Sequence, residues 1–206
     1  MSRKAYFNDA AGTWDERYNT PELAAFLDKI VPKFGLEPGQ NVLDTGTGTG
    51  VLIPYLIEAV GLSGSITAVD YAEEMVKICE SKYSHLQNVS IELQDVEELA
   101  LPPDSFDAVT CFGLFPHIEN KRKALCQIHR VLKTGGRLII AHALSSVEIE
   151  AHHKDASPTV AQDTLLEEKE MKRLLNHAGF SDAYIKDVPG CYLCISNKLR
   201  GVQLKG

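Results

Sequence analysis

Asn41-Val42-Leu43-Asp44-Thr45-Gly46-Thr47-Gly48-Thr49-Gly50 decides how this 206-residue chain folds. Residues 41–45 are short and apolar enough for a buried strand. Gly46, Gly48 and Gly50 then open into Val51-Leu52-Ile53-Pro54-Tyr55-Leu56-Ile57, an apolar run at helical spacing. Strand, glycine turn and helix let the backbone approach a ligand closely, with the N–H groups of the helix start facing it. The spacing is not the G-x-G-x-x-G of dinucleotide turns, because the third glycine comes one residue early and Val51 follows. A plain tight turn would need the same glycines, so the rest of the chain has to decide.

Downstream, strands and helices alternate. Strands are expected at 65–70, 89–93, 106–112 and 137–142, and helices at 50–60, 72–83 and 118–132, the last stopped by Gly135-Gly136. Upstream, Thr20-Pro21-Glu22 supplies a cap, a first-turn proline and an acid for a helix over 21–33. Short connections between alternating elements imply right-handed crossovers and a parallel sheet with helices on both faces. The ending differs. After a helix over 167–178, only Val188-Pro189-Gly190 separates strands 183–187 and 191–196, which suffices for a hairpin but not a crossover. The fold class is therefore α/β, Rossmann-like and doubly wound, with an antiparallel C-terminal hairpin. One domain spans 1–206: an N-terminal arm and helix (1–35), a binding core (41–142), a lid (143–166) and a C-terminal helix and hairpin (167–206).

Composition bounds the function. An apolar share of 44% with 24% charged residues is that of a globular domain. No apolar run approaches the roughly 20 residues of a membrane span, and residues 1–6 lack the apolar core of a signal peptide. Net charge −7 speaks against a broad nucleic-acid surface. Five cysteines form no disulfide framework, and Cys191 and Cys194, three apart in a strand, point to opposite faces. Reduced cysteines in a cytoplasmic protein are expected.

In a doubly wound sheet, ligands bind outside the carboxyl ends of the strands. Three consecutive strands end in or just before an acid: Asp44, Asp70 and Asp95. Asp70 stands about where an acid meets ribose hydroxyls in nucleotide-binding folds. Three such acids on one rim, beside a glycine turn, outweigh the helix-capping role that each could have alone.

Here the chain resembles the class I S-adenosylmethionine-dependent methyltransferases, most of all the small-molecule group typified by the ubiquinone/menaquinone-biosynthesis enzymes. The resemblance runs in motif order over about residues 5–142. It comprises Asp44-Thr-Gly-Thr-Gly-Thr-Gly50, Asp70, Asp95-Val96, Phe106-Asp-Ala-Val-Thr-Cys-Phe-Gly113 and Leu132-Lys-Thr-Gly-Gly-Arg-Leu-Ile-Ile140, and the final hairpin matches that family's seven-stranded sheet. The aromatic N-terminus, Phe7-Asn8-Asp9 through Trp14-Asp-Glu-Arg-Tyr18, resembles the group's arm and points to a flap that closes over ligand. Thr45 departs from the pattern, which more often has a small apolar residue there. The resemblance implies S-adenosylmethionine as cofactor, with Gly46 and Gly48 against its methionine portion and Asp44 helping to hold the amino end. Asp70 would take the ribose hydroxyls and Asp95 the adenine amine. Tyr71 and Val96 would flank the ring, and Phe112 completes the cofactor-binding set. Carboxylates accept strongly from hydroxyls and amines, and an acid-rich site suits a sulfonium cation better than a pyrophosphate. Valine at Gly46 or Gly48 is expected to block binding and spare the fold, unless the turn requires positive φ there.

The implied reaction is methyl transfer to a small-molecule acceptor by in-line displacement, which needs mainly proximity and alignment. Cys111-Phe-Gly-Leu-Phe-Pro-His117 lacks the Asn/Asp-Pro-Pro-Tyr/Phe signature of enzymes acting on planar amino groups, so no nucleic-acid substrate is expected. Ser145-Ser-Val-Glu148 is a capping box for a short helix over 146–154. His117, His142, His152 and His153 then border the acceptor side, with at most one of His152 and His153 pointing in alongside His142. Three readings stay open: inert lid histidines; a catalytic base at His142, His152 or His117; or a metal or metalloid centre on His142 and His153 or His152, with Glu148 or Asp163. An NAD-dependent oxidoreductase and a non-catalytic cofactor-binding scaffold are the rival functions.

Overall fold

The computed structural model describes residues 1–181 and 183–200; residues 182 and 201–206, the latter part of the expected terminal segment 167–206, lie outside the described residues. Seven strands form one sheet in the order β3-β2-β1-β4-β5-β7-β6. β1 (Asn41–Thr45), β2 (Ser65–Asp70), β3 (Val89–Leu93), β4 (Phe106–Phe112) and β5 (Leu132–His142) run parallel. β6 (Tyr184–Val188) and β7 (Cys191–Asn197) form the expected antiparallel hairpin, and β7 inserts antiparallel beside β5. The chain leaves β1 towards β2 and β3, then returns to β4 on the other side of β1. That reversal opens a crevice above the carboxyl ends of β1 and β4.

Strand periodicity sorts the core. Val42, Ile66, Ala108, Ile139 and Leu193 face α3 (Pro21–Ile30) and α4 (Ile53–Val60), whose Leu27, Ile30, Leu56 and Val60 are buried against them. Their chain neighbours Leu43, Val109, Leu138 and Ile140 face α6 (Lys121–Val131) and α8 (Glu168–His177), through Leu125, Ile128, Met171 and Leu175. Alternate residues of one strand thus supply both cores, as parallel sheets covered on two faces require. Cys79 of α5 (Glu73–Tyr83) closes the first face beside Ile53 and Ala68. All five cysteines are unpaired.

Several boundaries differ from those expected. α4 starts at Ile53 rather than residue 50, because Gly46, Gly48 and Gly50 all adopt positive φ and keep the preceding residues in turns. α3 stops at Ile30 and Pro32 continues it as a 3-10 turn. α6 begins at Lys121, where the Asn120 side chain accepts the Lys123 N–H, and Phe115–His117 is a separate 3-10 turn. β5 pairs Leu132 with Phe106 and then Arg137 with Ala108, so residues 133–136 bulge out and the glycine pair shapes the strand rather than ending the helix. The arm is helical, as α1 (Arg3–Ala10) and α2 (Trp14–Tyr18) joined by a 3-10 turn. α7 (Ser146–Ala156) carries the capping box between Ser145 and Glu148.

A methyl on Gly64, between α4 and β2, would stand 2.6 Å from both the Gln40 carbonyl and Val60 Cβ, whereas one on Gly12 meets nothing within 4 Å. Gly64→Ala is expected to cost about 1–3 kcal/mol, against a change within about 0.5 kcal/mol for Gly12→Ala. Urea unfolding of the two variants checks this.

Candidate cofactor and acceptor site

The glycine turn is stitched to the end of β2. Thr47 N–H donates to the Val69 carbonyl at 3.0 Å, and Gly48 N–H donates to Asp70 Oδ2 at 2.8 Å. The other Asp70 oxygen accepts the Ala72 N–H at 2.9 Å. Gly46 holds φ +65°, and a Cβ there would lie 2.6 Å from Leu114 Cδ1. The turn therefore does require positive φ, and valine at Gly46 would break the packing of Leu114 as well as any ligand contact. Gly48, at φ +55°, has only Trp14 Nε1 at 4.0 Å in the path of a Cβ, so its open side is the face left for a ligand.

The three acids are not equivalent. Asp44 is 1% exposed beneath the turn; Oδ1 accepts from Thr110 Oγ1 at 2.7 Å, while Oδ2 and the nearby Thr47 Oγ1 are buried without a partner. Burial pushes the Asp44 carboxyl up to about 6, against the lowering effect of the Thr110 and Thr47 hydroxyls. An orphaned carboxylate oxygen under a glycine turn fits a ligand that brings a cationic donor, as the amino end of S-adenosylmethionine does. Asp70 is also raised by burial, opposed by its backbone donors. Each of its oxygens keeps a second lone pair for a ribose hydroxyl. Asp95 is exposed and uses Oδ1 to accept the Glu97 N–H at 2.9 Å, which keeps the turn after β3 in place. Asp70, Tyr71, Asp95, Val96 and Phe112 all line one cavity of about 1050 Å³ with Gly46 and Gly48, whereas Asp44 lies behind its wall.

The opposite wall comes from the arm and the 143–166 segment. His117, His142, His152 and His153 all border the cavity. His142 is 7% exposed, and burial pushes its pKa down to about 3, so the ring is neutral at physiological pH. Its Nε2 is buried without a partner. His153 is buried and donates Nδ1–H to the Asp163 carbonyl, and its ring lies 4.6 Å from that of His117. His152 stays exposed at the rim, edge-on to Tyr18 at 6.1 Å. His117 Nδ1 is 2.8 Å from Asp163 Oδ2. Glu148 is turned away, accepting from Ser145 and Gly190 N–H groups, and so does not join His152. Among the described residues no three His, Cys, Asp or Glu side chains are placed to hold a metal ion, which leaves His142 and His153 without a third ligand.

Contacts invisible in sequence hold the arm down. Asn8 bonds Glu73 and caps α5 through the Glu74 N–H at 3.0 Å. Asp15 accepts from Thr49 Oγ1 at 2.6 Å and pairs with Lys82, gripping the end of the glycine turn. Arg3 pairs with Asp163. Phe7 packs on Trp14, Tyr71 and His117 with ring centroids 5.8, 6.4 and 5.0 Å away. The arm thus lies along the cavity, which Arg3, Phe7, Trp14 and Tyr18 help to line.

Two outcomes follow for ligand binding. An Asp44 carboxyl with its pKa near 6 is neutral below that pH, so a cationic ligand end gains a counter-charge as pH rises through it. Affinity for S-adenosylhomocysteine is expected to climb from about pH 5 and level off near 7, at most tenfold per pH unit; Asp44→Asn removes the slope in calorimetric titration. The same ionisation costs the empty fold stability that is retained below the unfolded carboxyl pKa of ~3.9 and lost in full above about 6. Gly48→Ala should weaken that binding while costing the fold only about 1–2 kcal/mol of left-handed strain.

Comparison with known proteins agrees with this geometry. A methyltransferase-domain family model matches residues 36–179. The ubiquinone/menaquinone biosynthesis C-methyltransferase UbiE of Psychromonas ingrahamii is 41% identical over 110 residues, 52% of this chain and 43% of that protein. Its namesake from Hydrogenovibrio crunogenus is 38% identical over 144 residues, 66% and 56% of the two chains. The chain thus spans about half the length of these curated relatives. A SAM-dependent methyltransferase from Aquifex aeolicus superposes with a TM-score of 0.69 at 27% identity, covering 83% of this chain and 88% of that one. Phosphoethanolamine N-methyltransferase 2 of Haemonchus contortus, solved with S-adenosylhomocysteine, shares the fold with a TM-score of 0.66 at 22% identity, over 79% of this chain and 38% of that one. With its acid-rimmed glycine turn inside the matched span, the chain belongs to the S-adenosylmethionine-dependent methyltransferase-domain family.

Proposed function

We propose that this protein transfers the methyl group of S-adenosylmethionine to a small-molecule acceptor by in-line displacement, with the acceptor held between the arm and the 143–166 segment. The carrying observation is the cavity, about 1050 Å³ with two unlike walls. Ligand pockets for one drug-sized molecule span roughly 300–1,000 Å³, so this one has room for a second small molecule beside the cofactor. One wall presents the glycine turn, Asp70 and Asp95; the other presents imidazoles and the apolar side chains of Phe26, Leu144 and Ile149.

S-adenosylmethionine supplies an already activated methyl on a sulfonium, and the residues of the chain do the rest. Asp70, Asp95 and the turn fix the cofactor, with Tyr71, Val96 and Phe112 beside the adenosine. Closure of the arm excludes water and brings acceptor and methyl donor into line, which is worth roughly 7–11 kcal/mol in well-oriented reactions. His142 is neutral and a very weak base, so it orients the acceptor through a hydrogen bond. His117 is the stronger choice of base because the Asp163 carboxylate fixes its tautomer. His152, at the rim, contacts the outer part of the acceptor. The relatives named as C-methyltransferases favour carbon as the accepting atom. Net charge −7 favours a small-molecule partner over nucleic acid. No helix among the described residues is long and apolar enough to cross a membrane, which accords with a cytoplasmic site of action.

Calorimetric titration should show heat with S-adenosylmethionine and none with NAD; the reverse would favour the oxidoreductase. An acceptor screen read by S-adenosylhomocysteine release separates enzyme from scaffold. With any acceptor so found, His117→Gln is expected to lower turnover about 10²–10⁴-fold, with cofactor affinity nearly unchanged. Unaltered turnover removes His117 as the base.

A further inference from the structure

One buried carboxylate joins three elements. Asp163, in the loop between α7 and α8, has a side chain only 1% exposed. Its Oδ2 meets His117 Nδ1 at 2.8 Å, from the turn that follows β4. Arg3, in the first turn of α1, donates Nε–H to both carboxylate oxygens at 3.0 and 2.9 Å and Nη2–H to Oδ1 at 2.5 Å. Burial works against the Asp163 anion, but the bonds from His117 and Arg3 outweigh it and hold the carboxyl down to about 2, so it is ionised throughout the physiological range. A carboxylate only accepts, so His117 Nδ1 carries a proton and the lone pair of the neutral ring sits on Nε2.

We infer that Asp163 is a positioning residue that holds His117 as proton acceptor, and that Arg3 shares the same carboxylate so that the arm is latched while His117 is neutral and released once it has taken the proton. This rests on the methyl transfer proposed above. The bond from the accepting atom to hydrogen breaks and its proton bonds to His117 Nε2. The electron pair stays on the acceptor and ends in the new bond to the methyl carbon, while the pair of the broken carbon–sulfur bond goes to sulfur. The proton leaves His117 for water after the arm opens.

The charges explain the coupling. With neutral His117, Arg3 and Asp163 balance. With imidazolium, two cations share one carboxylate inside a poorly solvated site, where like charges repel more than in water. The groups around the pair do not relieve it. Lys121 of α6 acts on both Asp163 and Arg3, and His153 of α7 and His142 of β5 face His117; Glu119, near Arg3, is the opposing acid. Of the three partners, Arg3 is the one able to leave. No residue of α1 is fully buried, whereas Asp163 and His117 sit on segments packed under α7 and β4.

Trp14, the sole tryptophan, lies on the arm and reports its closure. Acrylamide quenching of Trp14 in the full chain should step up on acidification. The step should be lost in His117→Gln, which stays closed, and Arg3→Met should show acid-level quenching at every pH. A step that persists unchanged in His117→Gln, no step in the wild type, or a closed Arg3→Met overturns the latch. Ring ¹⁵N NMR of His117 tests the positioning. A single Nδ1–H tautomer at pH 8 is expected, lost in Asp163→Ala, and an Nε2–H tautomer in the wild type overturns it whether or not that variant folds. No acceptor is used, so these outcomes are independent of whether methyl transfer itself is found.

Discussion

The bond from the Gly48 N–H to the Asp70 carboxylate is the joint on which the site depends. It ties the turn after β1 to the end of β2, so the two strand ends that face the crevice cannot move independently. Burial of a carboxylate is costly unless it is hydrogen-bonded, and Asp70 is met by the backbone of Gly48 and Ala72. Hydrogen bonds to charged groups are worth about 1.5–3 kcal/mol each, enough to keep the anion in place with lone pairs left over. One acid therefore shapes the glycine turn and remains able to accept from a ligand. Positive φ at Gly46 and Gly48 is the backbone condition for that joint, and Leu114 occupies the space that a side chain on Gly46 would need.

The arm follows a different logic. Its polar clasps reach three separate elements: Asn8 to the start of α5, Asp15 to the end of the glycine turn and Arg3 to Asp163. Exposed ion pairs such as Lys4–Glu73 add little each. Aromatic packing of Phe7, Trp14 and Tyr18 on one another and of Phe7 on Tyr71 adds to these clasps. A segment without a buried stripe, held by edge contacts, opens at lower cost than the sheet beneath it. Low stability here is useful, because the arm lines the cavity through which ligands must pass.

Much of this architecture was open to sequence reasoning because each strand announces itself by a short apolar run, and each run ends in residues that then sit on one rim. Asp70 and Asp95 stand on that rim, whereas Asp44 lies behind the cavity wall. The β5 bulge was not legible, since Gly135-Gly136 after an amphipathic run reads equally as a helix stop; only its pairing partners, Phe106 and Ala108, decide. The helices of the arm were missed because their aromatics fall without an aliphatic period. Arg3 and Asp163 stand 160 positions apart, and no local pattern links them. Burial was equally hidden. His142 and His117 look alike at strand ends, yet one is enclosed and held neutral, and the other is bound to a carboxylate.

That difference orders the electrostatics of the whole cavity. A sulfonium is attracted to the acidic rim of Asp70 and Asp95 and would be repelled by a cationic wall opposite. Enclosing His142 and His153 lowers both and keeps those two rings uncharged, and Arg3 is paired with Asp163. In the transfer proposed above, an acceptor that gives its proton to His117 would carry a negative charge drawn towards the cationic sulfur. In the proposed reaction, burial of His142 and His153 keeps both rings neutral beside His117.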